Sequence, residues 1–347
     1  MTAEMTLRRP AKRRLARILP LTRTWGVALL LSLMLAASVA VSLTLGSFPT
    51  TPAAVARALA YPASSDIGFI VWELRLPRIG LAVLVGAALA VAGAILQGIV
   101  RNPLASPDVI GITSGAAMAA VVFLALFSAS MNALWLPLAA MAGALLAALL
   151  VFSLAWKKGV TPARLVLVGI GLSAAMGAVT TLLIVISDDA AAMHAYVWLT
   201  GSIYGAQWHD VLGMLPSLAL CLPLCFILAR HMDALALGDS IAQGLGVNIA
   251  RSRLVLVASS VALAGSAVAF AGGLSFVGLI APHIATRLVG RGFARQVPIA
   301  ALVGSLIVLY ADLLGRVAFL PKDLPAGIFV SGIGAPFFVY LLHKSRS

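Results

Sequence analysis

Residues 77–108 read PRIGLAVLVGAALAVAGAILQGIVRNPLASPD. No side chain between Arg78 and Arg101 is charged. The run is long enough to cross a bilayer, which takes about 20 apolar residues in a helix that satisfies its own backbone hydrogen bonds. It then stops on Arg101, Asn102 and two prolines, which a continuing helix would not tolerate. The stretch therefore reads as a membrane-spanning helix closed by a tight polar turn. The whole chain has the same character: 62% of its 347 residues are hydrophobic and 10% charged, with a mean hydropathy of +1.07. That lies outside the range of soluble globular domains and predicts an all-α polytopic membrane protein.

Ten spans are expected, at 25–45, 77–100, 108–128, 134–156, 164–186, 209–229, 252–271, 275–290, 296–316 and 325–342. The first follows a basic segment, as a secretory signal would, but its apolar core is too long for one and further spans follow. The expected organisation is a basic cytoplasmic segment over 1–24, one transmembrane domain over 25–342 with short cytoplasmic helices at 230–250, and a cytoplasmic tail at 343–347. With both termini in the cytoplasm, 19 of the 24 lysines and arginines fall on the inner side. Only Arg57, Arg75, Arg78, Arg316 and Lys322 fall outside, as the positive-inside rule requires. The net charge of +13 is scattered over many inner loops and forms no aromatic-interleaved patch, so it reads as topology and contact with anionic lipid, not as nucleic-acid binding.

The chemistry is sparse. None of the five lysines follows a glycine, so no phosphate-binding P-loop is present and ATP, if used with Mg, is used by a partner. No His-Glu-x-x-His pattern or Gly-x-Ser-x-Gly elbow prepares an enzyme. Asp312 is the clearest carboxylate inside a span, and its i, i+4 spacing to Arg316 favours an ion pair over a proton relay. Cys221 and Cys225 read as small buried residues. His283 lacks a second donor that would make it an iron ligand. Neither a cofactor nor a metal is expected in this chain. The aromatics of HAYVWLTGSIYGAQW at 194–208 read as markers of the outer interface.

The segment 230–253, RHMDALALGDSIAQGLGVNIARSR, is too polar to cross and carries Leu235, Leu237, Ile241, Leu245 and Val247 on what reads as two short helices broken at Gly244 and Gly246. Its apolar side needs lipid or a protein to pack against.

Five motifs in order, LRLPR at 74–78, VGAALAVAGAILQGIVRNPLASPDVIG at 85–111, LALGD and LGV within 235–247, GGLSFVGLIAPHIATR at 272–287 and LPAGIFVSGIGAPFFVYLL at 324–342, resemble the FecCD-type permeases. These are membrane subunits of bacterial ABC importers for iron-siderophore complexes, haem and cobalamin. Through RNPLASPD and WLTGS the chain looks nearest to the ferric citrate and catecholate siderophore permeases. The resemblance implies the type II importer fold and location in the bacterial inner membrane. It also implies a second permease subunit, two cytoplasmic ATPase subunits and a periplasmic substrate-binding protein as partners. It places a cytoplasmic gate at Asn102 and Leu104, with Thr161 as a further candidate, although a plain helix cap explains the same residues. It places binding-protein docking at Arg75, Arg78 and Arg316, although interfacial snorkelling accounts for any one of them. ATPase coupling falls on Leu237, Gly238, Asp239, Ala242, Leu245, Gly246 and Val247. An ion-coupled secondary transporter is the competing class.

Overall fold

The computed structural model describes residues 9–46, 48–127, 130–155 and 162–345, and its regular elements are helices. In chain order they are α1 (Arg9–Thr44), α2 (Pro52–Ala60), α3 (Leu76–Val100), α4 (Ile112–Leu126), α5 (Leu136–Ala155), α6 (Pro162–Ile186) and α7 (Asp189–Thr200). Then come α8 (Trp208–Ile227), α9 (Ala229–Ala236), α10 (Asp239–Gly244), α11 (Ile249–Ala271), α12 (Val277–Val289), α13 (Phe293–Val317) and α14 (Ala326–Ser345). Ten of these coincide with the ten expected spans. Seven are long and apolar enough to cross unaided, α3 being extended at its start by a π-helical turn at Ile70–Arg75. The other three, Ile112–Leu126, Val277–Val289 and Ala326–Leu341, are apolar but shorter.

The shortness has a local cause. The sequence places a span at 108–128, but residues 101–111 form turns and α4 starts only at Ile112, with Gly111 at φ 83°. No side chain caps α4, neither Ser106 nor Asp108 reaching its first N–H groups. Asp108 instead accepts a hydrogen bond from the Thr113 hydroxyl at 2.6 Å. Likewise 272–276 is irregular before α12, with Phe276 at φ 67°. The first break packs against α12 just after the second: Pro107 lies 3.1 Å from where a Cβ on Gly278, in the first turn of α12, would sit. Broken backbone at membrane depth persists where it is buried in protein or lines a water-filled path.

The centre of the subunit is α3, flanked by α13, α11 and α12. Glycine makes this possible. A Cβ on Gly86 would stand 2.3 Å from the Gly304 carbonyl oxygen, and one on Gly93 1.8 Å from that of Gly278, so α3 touches α13 and α12 backbone to backbone. Ser305 donates to the Val83 carbonyl at 2.8 Å and Ser260 to that of Ala92 at 3.1 Å, fastening α13 and α11 to the same helix. In its most apolar window α3 is 78% buried, against 22% for α1 and α6. The apolar faces left open on α6 (Leu167, Ile170, Val179, Leu182) and α14 (Ile328, Ile333, Val339) can be covered only by lipid or by another subunit.

Two elements were not anticipated. The short α2 begins with Pro52 behind the side-chain cap of Thr51. Asp188 caps α7 by accepting from the Ala191 N–H at 2.7 Å. Trp208 and Trp72 tie α8, the π-helical turn and α2 together, because Trp208 donates to the Trp72 carbonyl at 2.9 Å and Trp72 to that of Ala58 at 3.1 Å.

Candidate functional site

On the side carrying α9 and α10, α3 ends at Arg101 in the left-handed region, φ 55°. A non-glycine residue held there costs about 1–2 kcal/mol, so the turn is held by its surroundings. Asn102 is exposed, and its side-chain oxygen accepts from the Leu104 N–H at 2.9 Å, locking a tight turn. Leu104 packs at the edge of a small cluster formed by Leu279, Ile280 and Leu341, with Phe276, Ile284, Phe337 and Phe338 beside it. The turn thus touches α12 and α14. Asn102 and Leu104 sit together in it, while Thr161 lies outside the described residues.

The segment expected to face the ATPase consists of two helices, as anticipated, but its first break is at Gly238, φ 116°, not at Gly244, which is the last residue of α10. The second break is at Gly246, φ 80°. Leu235 and Ala242 point into the core, whereas Leu237, Ile241 and Leu245 are exposed and Val247 is half-buried. The exposed trio is an apolar surface on an element otherwise tied down by charge. Asp239 accepts from Arg253 of α11 at 2.7 Å and lies 3.5 Å from Arg101. Asp233 accepts from the Phe293 N–H at 2.8 Å, at the positive end of α13.

At the opposite end, the three arginines expected to dock a binding protein are buried and occupied within the chain. Arg75 donates to the Leu43 and Phe48 carbonyls and, at 2.8 Å, to the Thr50 hydroxyl. Arg78 bonds Asp312 at 2.8 Å and holds Asp323 with a two-pronged grip at 2.7 and 2.9 Å, with Tyr204 stacked 5.6 Å from its guanidinium carbon. Arg316 lies 3.4 Å from Asp312, the pair anticipated from their spacing, and also donates to the Ser42 hydroxyl. The geometry makes these arginines a scaffold that fastens α1, α3, α13 and the loops at 201–207 and 318–325 to one another. Charge-assisted, two-pronged bonds of this kind fix geometry more strongly than neutral ones. Cavities of about 600 and 430 Å³ open beside the network, sharing Tyr204, with Glu73 and His209 lining the first and His194 and Asp210 the second.

Sequence reasoning missed Asp323, Arg253 and Asp233. Their partners are 245, 14 and 60 positions away, beyond the i, i+3 and i, i+4 spacings that a sequence displays. Cys221 and Cys225 are free and buried, and His283 stands edge-on to Phe337 at 5.9 Å. Among the described residues no group of three or more His, Cys, Asp or Glu side chains is placed to hold a metal ion.

Residues 12–344 match the FecCD transport family. The chain belongs to this family of transport permeases. It is 53% identical to the achromobactin transport system permease protein CbrC of Dickeya dadantii (strain 3937), over 96% of this chain and 95% of that protein. It is 42% identical to the iron(3+)-hydroxamate import system permease protein FhuG of Bacillus subtilis (strain 168), over 88% and 93%. Among solved structures, an ABC transporter of the metal-chelate type in an inward-facing conformation superposes with a TM-score of 0.81 at 30% identity, covering 92% of this chain and 99% of that one. The chain is accordingly a multi-pass membrane permease of the ABC importer class.

Proposed function

We propose that this permease passes a ferric siderophore across the bacterial inner membrane, driven by ATP hydrolysed on separate cytoplasmic subunits. The observation that carries the coupling reading is the surface made by Leu237, Ile241 and Leu245. It is exposed, apolar and mounted on helices that carboxylates tie to α11 and α13, as a seat for a rigid partner should be. The siderophore reading is supported by the similarity to permeases whose names specify achromobactin and iron(3+)-hydroxamate transport. Haem and cobalamin are the alternatives within the family.

In this reading the termini and the α9–α10 side are cytoplasmic, two copies of the chain or two related chains pair through the open faces of α6 and α14, and the pathway runs between them. Asn102 and Leu104 narrow its inner mouth, the turn being stiffened by the Asn102 side chain and backed by α12 and α14. A binding protein meets the outer loops that Arg78 holds in place, with the buried arginines setting the shape of that surface from below. An ion-coupled carrier would need an unpaired carboxylate within a span, and Asp312 is instead held between Arg78 and Arg316.

The deciding experiment is uptake of iron-labelled siderophores, haem and cobalamin into proteoliposomes holding the permease with its ATPase and binding protein. Uptake of a ferric siderophore that requires ATP is expected. Uptake that follows an imposed proton gradient without ATP would overturn the coupling, and uptake of haem or cobalamin alone would overturn the substrate.

A further inference from the structure

Asp239 has two cations on one oxygen. Arg253 Nη2 donates to Asp239 Oδ1 at 2.7 Å, and Arg101 Nη2 stands 3.5 Å from the same atom. The two contacts differ in kind. The Arg253 side chain is 8% exposed and sits near the start of α11, so its bond moves with that span. The Arg101 side chain is 38% exposed, its contact is longer, and it projects from the residue that closes α3 and begins the turn of Asn102 and Leu104. Its guanidinium lies over Gly238, where a Cβ would come within 3.5 Å of Nη1. Gly238 is also the φ 116° break between α9 and α10. One carboxylate therefore joins the exposed helices, the start of α11 and the loop at the end of α3.

We infer that Arg101 is the positioning residue through which a displacement of α9 and α10 reaches the turn at Asn102 and Leu104, with Asp239 as the shared counter-ion. The inference rests on the reading of α9 and α10 as the element that the ATPase moves. Arg253 is the fixed anchor and Arg101 the releasable arm. A displacement of an ångström or two that carries α10 and the start of α11 together lengthens the 3.5 Å contact beyond ion-pair range and leaves the Asp239–Arg253 bond closed, because both of its partners move. The consequence reaches the turn directly, because Asn102 follows Arg101 in the chain and is bonded across to Leu104.

The test uses the complete complex of permease, ATPase and binding protein in proteoliposomes, reading uptake per ATP hydrolysed alongside ATPase copurification. Arg101→Gln should retain the ATPase and lower uptake per ATP by about two- to fivefold, the range of a half-exposed ion pair. Asp239→Asn should lower it at least as far, and adding Arg101→Gln to Asp239→Asn should change nothing more, because the two act through one contact. Arg101→Lys, which keeps the charge, should restore part of the loss. Asp239→Asn reads the link from the other partner should Arg101→Gln express poorly. Unchanged uptake per ATP in Arg101→Gln, an equal loss in the Asp239→Asn background, or release of the ATPase by Arg101→Gln would each overturn the inference. Failure of the underlying reading shows separately: there, Leu245→Asp would keep the ATPase bound. If Leu245→Asp releases it and Arg101→Gln is silent, the coupling element stands and this inference alone falls.

Discussion

Replacing Arg78 by methionine keeps the aliphatic stem and removes the charged fork. Arg78 is 8% exposed and Asp312 1%, so the substitution strips a buried carboxylate of its shorter ion pair. Removing one partner of a buried pair costs about 3–5 kcal/mol, most of it the penalty of the charge left behind. Two features place this case near the lower end. Asp312 keeps Arg316 at 3.4 Å, and the Asp323 side chain, already 26% exposed, can turn to water. A loss of about 3 kcal/mol is then expected, about a hundredfold in the folded-to-unfolded ratio. Heating the permease in nanodiscs and following tryptophan fluorescence should show a melting temperature lower by roughly 5–10 °C. Arg78→Lys should recover only part, since an ammonium cannot reproduce the planar fork that grips Asp323 while reaching Asp312. An unchanged melting temperature in Arg78→Met would refute the reasoning. Should that variant instead lose capture of the binding protein at wild-type stability, the arginine would be a docking cation after all.

Asn102→Ala together with Leu104→Ala should raise substrate leak in proteoliposomes lacking ATP at normal expression, and an unchanged leak would reduce this turn to a helix cap. Leu245→Asp should abolish ATPase association with little effect on permease stability, because Leu245 is exposed in the isolated subunit and a carboxylate there is costly only once an apolar partner covers it; copurification of the ATPase gives the answer. Gly304→Ala should destabilise the subunit by about 1–3 kcal/mol, since its Cβ would fall 2.2 Å from the Gly86 oxygen. Gly177→Ala, with nothing within 4 Å, should leave the melting temperature unchanged or higher, and equal losses in both variants would contradict the described packing.

The ten spans were legible because burying a backbone in hydrocarbon imposes a length and a composition that no tertiary contact can override. What the sequence hid is where two of those spans break. Asp108 and Val109 look like the start of a helix, yet Gly111 and the contact of Pro107 with Gly278 in the first turn of α12 set the true start. The Asp312–Arg316 pair was readable because one helix carries both residues a turn apart, whereas the stronger grip of Arg78 on Asp323 depends on how α3 meets the loop before α14. All three arginines expected to meet a binding protein are buried, Arg75 among the Leu43 and Phe48 carbonyls and Arg78 and Arg316 about Asp312. Near α10 the sequence offers glycines at 238, 244 and 246, and nothing local says which of them takes a positive φ. The bond of Asp239 to Arg253 fixes α10 in place and assigns that role to Gly238 and Gly246.

The glycine contacts of α3 also limit how the subunit can move. Where Gly86 meets Gly304 and Gly93 meets Gly278, the backbones pass so closely that a Cβ on either α3 glycine would stand 2.3 or 1.8 Å from a carbonyl oxygen. Sliding either neighbour along α3 by a single residue would drive a Cβ into a carbonyl. Those crossings therefore work as detents: α3, α12 and α13 tilt as one block, and play is left to the periphery, where α6 has most of its surface uncommitted. A push delivered at one end of such a block arrives at the other as rotation, with little lost to internal slip.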